Sequence, residues 1–95
     1  MFSNADQQWW DNFVAPIGQW FLENIPRYNL PSVTLTAAQY DEGDRNLPDA
    51  YARLILVMRR IWIPERRLRP TENMVCKALF DAMRQLGILT VIYDE

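Results

Sequence analysis

Residues 59–70 read RRIWIPERRLRP, five arginines with one tryptophan and two prolines around a single glutamate. A guanidinium is planar and permanently charged, and its forked donors match a carboxylate, a phosphate or the face of an aromatic ring. The run therefore suits a grip on nucleic acid, a docking surface for a protein, or the charged rim of a turn between two helices. Arginine outnumbers lysine nine to one in the chain, which favours planar contacts over simple point charge. Trp62, inside the run, offers an anchor of the kind that dominates interfaces.

Most catalytic chemistry lacks its residues. The chain has no histidine, which removes the usual general base, the Ser-His and Cys-His nucleophile systems and the commonest transition-metal ligand. The one cysteine, Cys76, makes neither an internal disulfide nor a zinc site, and beside Met83 on a helical arc it reads as a small buried hydrophobe. Asp41-Glu42-Gly43-Asp44 is the only dense acidic cluster. It lacks the ligand spacing of a calcium loop and reads as a solvated turn. The three glycines stand alone at 18, 43 and 87, so no phosphate-binding loop is present. The expectation is a non-enzyme that uses no cofactor and no metal.

Ninety-five residues suit a single compact domain over 1–95, with a modest core. Four Trp in so short a chain imply that some aromatic surface reaches the boundary. No stretch approaches the roughly 20 apolar residues of a membrane span, and the start has neither the basic region nor the apolar run of a signal peptide. A soluble cytoplasmic protein, or one in the host cytoplasm or virion if viral, is expected. The net charge of −2 conceals a lopsided layout, −5 over residues 1–50 and +3 over residues 51–95. The basic half has a positive face to offer a partner.

The elements that must carry these residues follow from capping and periodicity. Ser3 or Asn4 starts a helix that meets Pro16, kinks there and runs to about Asn24, where Pro26 stops it. Trp9, Phe13, Ile17 and Trp20 fall on its inward stripe, flanked by Trp10, Val14 and Phe21. Arg27 to Ser32 reads as extended, and Val33 to Thr36 as a short strand. Thr36 with Gln39 forms a capping box for a short helix over 37–42 that ends at Gly43. A longer helix over about 48–62 turns Leu47, Tyr51, Leu54, Met58 and Ile61 inward and leaves Leu56 among charges, with Ile63-Pro64 ending it. The last helix, capped by Thr71 and closed by Gly87, turns Val75, Leu79, Ala82 and Leu86 inward. Ile88 to Tyr93 is a branched, apolar run of strand type, nearly long enough to be hidden on both faces, pairing with residues 32–36.

The fold class is therefore α+β, mainly α: a kinked N-terminal helix, a short helix, two longer amphipathic helices and a small two-stranded sheet. The function expected of it is that of a protein–protein interaction module, an adaptor, assembly subunit or inhibitor, in size like an accessory protein of a virus or mobile element. Its contact residues are Trp10, Leu56, Arg59, Arg60, Trp62, Arg66, Arg67 and Arg69. The partner is a protein or a nucleoprotein complex, no membrane is involved, and self-association stays open. The alternative is a nucleic-acid-binding domain of helix-turn-helix type using Arg66, Arg67, Arg69, Asn73, Lys77 and Arg84. An acidic pI near 5.0 and Asp81 beside those positions count against it. Arg66→Glu combined with Arg67→Glu is expected to abolish partner capture with the thermal midpoint nearly unchanged; a large loss of stability would make these arginines structural instead.

Overall fold

The computed structural model describes residues 7, 8, 10–66 and 72–93, with the side chains of residues 10, 13, 44, 45, 62–66, 72 and 73 outside the description. The fold is α+β. In chain order it runs from a π-helical turn, Trp10–Val14, into α1, Ala15–Asn24, then a 3-10 turn, Ile25–Tyr28, strand β1, Val33–Thr36, and helix α2, Ala37–Glu42. A second 3-10 turn, Gly43–Asn46, leads to α3, Asp49–Arg66, then α4, Glu72–Gln85, and strand β2, Leu89–Ile92.

Pro16 shapes the first segment. Its ring has no N–H to donate and crowds the preceding turn, and the chain responds by widening that turn to a π-helix. A π turn holds one residue more than an α turn, so the inward face shifts along the sequence. Val14, Ile17, Phe21 and Ile25 are buried; of the expected stripe Ile17 is in the core, and the side chain of Phe13 lies outside the description. Trp20 is half-buried, its ring edge-on to Phe21 at 5.4 Å. Trp9 lies outside the described residues. Pro26 ends the α-helix at Asn24, yet the chain tightens into the 3-10 turn before Asn29 breaks it at φ +48°, so residues 27 and 28 are coiled where an extended connection was expected.

The capping box forms as its spacing predicts. The Gln39 amide donates to Thr36 Oγ1 at 3.2 Å, and the Thr36 amide donates to Gln39 Oε1 at 3.0 Å. The two strands lie parallel, with Val33 opposite Leu89 and Thr36 opposite Ile92. A parallel pair cannot be joined by a tight turn, and here α2, α3 and α4 form the crossover. Val33, Leu35 and Leu89 face the core, whereas Thr34, Thr90 and Ile92 face outward. The last strand is not hidden on both faces, because nothing among the described residues covers the outer one, where Ile92 is 48 % exposed; Tyr93, just past the strand, is 65 % exposed.

Helix α4 is the centre of the molecule. Val75, Cys76, Ala78, Leu79, Phe80, Ala82 and Met83 are all buried, which leaves it only a narrow outer strip. Tyr51, Leu54, Ile55 and Met58 of α3 and the buried face of α1 join the same cluster. Tyr51 is fully buried, and its hydroxyl donates to the Pro31 carbonyl at 2.8 Å, so its one polar group is satisfied. Two expected core positions lie outside. Ile61 is 48 % exposed because the last described buried side chain on α3 is Met58, while the helix, about 27 Å long, runs on. Leu86 is 36 % exposed because the chain leaves α4 there: Gly87 N–H donates to the Arg84 carbonyl and Ile88 N–H to the Met83 carbonyl, each at 3.0 Å, the bond pair of a Schellman cap.

Two glycines respond oppositely to one substitution. Gly18 sits inside α1 with open space where a Cβ would go, so Gly18→Ala should stabilise by about 0.5–1 kcal/mol. Gly87 has the same open space but a φ of +75°, so Gly87→Ala should destabilise by about 1–2 kcal/mol. Urea denaturation of both variants checks the signs; equal signs would contradict the backbone argument.

Candidate functional site

The arginine run is mostly helix rather than turn. Helix α3 continues past the expected stop and carries Arg59, Arg60, Trp62 and Arg66 within it. Pro64 is tolerated because it stands in the last turn, where its missing N–H costs a single helical bond and the carbonyls are already running out of partners. Arg67 and Arg69 lie outside the described residues. Trp10 falls in the π turn, Trp62 and Arg66 in α3, and their side chains are outside the description.

What the structure does bring together is the middle of α3. At 100° per residue, Ala52, Ile55, Leu56 and Arg59 share one side of the helix, and Arg53 and Arg60 follow next round its surface. Against that side, Val75 and Cys76 of α4 and Leu47 close an apolar cleft of about 260 Å³. Leu56 stands at its lip, 56 % exposed, with the exposed Arg53 and Arg60 beside it and Arg59 half-buried in the wall. Periodicity places Leu56 among charges. The cleft beside it depends on how α3 and α4 meet, which no spacing in the chain reveals.

On the outer strip of α4, expected to carry the alternative nucleic-acid contacts, Asp81 and Arg84 are engaged within the protein itself. Tyr40 of α2 stacks on Phe80 with ring centroids 5.3 Å apart, and its hydroxyl donates to Asp81 Oδ1 at 3.1 Å. The Arg84 guanidinium lies over the other part of this arrangement, 5.6 Å from the Tyr40 ring centroid. Lys77 remains exposed, while Asn73 begins the helix with its side chain outside the description. Tyr40 stands fourth in a six-residue helix, too short to give a periodic signal of its role.

Two further clefts flank α4. One of about 270 Å³ separates it from α1, lined by Gly18, Leu22, Ala78 and Asp81; the other, about 200 Å³, lies among Tyr40, Glu42, Cys76 and Lys77. All three are smaller than the roughly 300 Å³ at which small-molecule sites begin, and each has room for a partner's side chain. Among the described residues no group of three or more His, Cys, Asp or Glu is placed to hold a metal ion, and no helix is long and apolar enough to cross a membrane. In the acidic turn, Asn46 Nδ2 donates to the Gln39 carbonyl at 2.7 Å and to Glu42 Oε2 at 3.3 Å. Comparison of the chain with protein-family models, with curated proteins and with solved structures finds no match.

Burial raises two phenols above their ordinary value. At the Tyr40 hydroxyl the hydrogen bond from Arg84 opposes the shift and the Asp81 carboxylate reinforces it. Burial alone raises Tyr51. A folded-state value above the unfolded one stabilises fully below the unfolded pKa of about 10 and is lost as pH rises through the folded value. Stability against urea should therefore fall as pH climbs above about 10. The fall should be shallower in Tyr40→Phe than in the parent, and equal slopes would show that Tyr40 ionises freely.

Proposed function

We propose that this chain is a non-enzymatic interaction module that binds a protein partner through the α3–α4 cleft, taking an apolar side chain flanked by carboxylates. One observation carries the reading: an exposed Leu56 stands at the lip of an apolar cleft between a row of guanidinium groups and the core. The exposed Arg53 and Arg60 stand beside Leu56 on α3, so an acidic surface is the complementary one. Apolar contact in the cleft supplies affinity, and the arginines supply orientation and encounter rate. The cleft volume suits one anchor residue, in keeping with a peptide or a helix edge. The nucleic-acid reading has less support, since Arg84 and Asp81 are engaged with Tyr40.

Selection from a displayed library of random peptides tests this directly. Enriched sequences should place Asp or Glu beside Leu, Phe or Trp, and their binding should weaken at least tenfold in Leu56→Glu and in Arg60→Glu. Both substitutions are on exposed positions, so thermal midpoints should stay close to the parent. Enrichment of basic or uncharged peptides would overturn the reading. Binding to mixed-sequence DNA or RNA that falls steeply with salt would instead favour a phosphate-binding function.

A further inference from the structure

We infer that the outer edge of β2 is a self-association edge, on which a second copy of this chain pairs antiparallel about a two-fold axis through Val91. The argument starts from where the backbone groups point. The Val33 amide donates to the Ile88 carbonyl at 2.7 Å, and Val33 stands opposite Leu89. In a parallel ladder the next bonds then join Val33 and Leu35 to Thr90 and Ile92. Leu89, Val91 and Tyr93 therefore direct their N–H and C=O groups away from β1. Among the described residues no strand lies on that side.

The two edges of this sheet are not equivalent. On β1 the amides of Thr34 and Thr36 point outward, and the Thr36 amide already donates to Gln39 Oε1 in the capping box. The chain then turns at once into α2, and Pro31 precedes the strand. That edge is blunted. The β2 edge lacks two of the usual protections, because residues 88–93, ILTVIY, contain neither a charge nor a proline.

The second copy is the occupant because the strand complements itself. With the axis at Val91, Val91 faces its own counterpart and Leu89 faces Tyr93 of the second copy. All three residues have outward N–H and C=O groups, so these are the hydrogen-bonded pairs of an antiparallel ladder. Thr90 faces Ile92 of the second copy in the closer, non-bonded pairs on the outer sheet face. The two most exposed apolar side chains of this region, Ile92 and Tyr93, thereby each gain a cross-strand neighbour. No like charges are brought together on either face. The product is a four-stranded sheet in the order β1, β2, β2, β1. The paired stretch is short, so the dimer belongs to the weak class and forms between about 10 µM and about 1 mM.

Sedimentation or light scattering over that range should give a mass rising from 11.3 kDa towards twice that value. In parallel, hydrogen exchange at the Leu89, Val91 and Tyr93 amides should slow as concentration rises, with Thr34 unchanged. The exposed pair then gives a register test: Thr90→Lys with Ile92→Lys should be monomeric, as should Thr90→Glu with Ile92→Glu, and an equimolar mixture of the two should recover a heterodimer. A parent chain that stays at the monomer mass at about 1 mM overturns the inference without any variant. So does a dimer that protects Thr34 in place of Val91, a dimer that survives in both charged variants, or a mixture that stays monomeric with both chains folded by circular dichroism.

Discussion

Helix α4 buries a broad apolar face, and that one property dictates the arrangement of everything else. A helix with Val75, Cys76, Ala78, Leu79, Phe80, Ala82 and Met83 all hidden has to be wrapped, because each uncovered side chain of this kind forfeits about 1.5–3 kcal/mol of burial. Four kinds of cover are used. Helix α1 packs along it through Ile17 and Phe21, α3 through Tyr51, Leu54 and Met58, α2 through Tyr40 on Phe80, and the sheet through Leu89. A short chain has little left after such wrapping. Hence the wrapping elements are each covered on one side only, and their outer sides form the surface available for function.

The parts of this arrangement that depend on neighbours in the chain are legible from it. Thr36 with Gln39 marks the start of α2, Gly87 marks the end of α4, and Leu56 stands out as apolar on a charged arc; each is a local fact of spacing or of backbone freedom. The parts that depend on distant elements are not. The π turn before Pro16 is one such part, because a proline removes a donor without stating how the backbone will absorb the loss, and Val14 and Phe21, read from the periodicity as flanks, are buried in the core face while Trp20 is half-buried. Pro64 shows the reverse case. A proline predicts a stop, yet near a helix end it forfeits only one bond, so the chain continues to Arg66. Tyr40 matters through Phe80, Asp81 and Arg84, more than forty residues away on average in the chain's own order, and no periodicity encodes such a contact.

Continuation of α3 as far as Arg66 changes what the first part of the arginine run is. In a loop, five guanidinium groups would spread over whatever surface the loop visits. On a helix, positions 59 and 66 are seven residues apart and fall almost on one line, while position 60 lies about 100° from position 59. Cationic positions thus collect along the side of α3 that already carries Leu56 and the apolar cleft. Charge and apolar surface become neighbours, which is the combination a desolvated anchor with a polar rim requires.

The cleft and the β2 edge then differ in whom they can accept. Two copies of α3 laid face to face would oppose Arg53 and Arg60 to arginines, and like charges across an interface cost more than an exposed leucine returns. That face is thereby biased against its own copy and towards acidic partners. The β2 edge has no charge to repel a copy, and its hydrogen bonds are directional, with a register that a two-fold axis satisfies pair by pair. A surface with charge of one sign selects for difference, and a neutral strand edge permits identity. The proposed heterotypic face and the proposed homotypic edge thus make physical requirements on one small fold that do not compete.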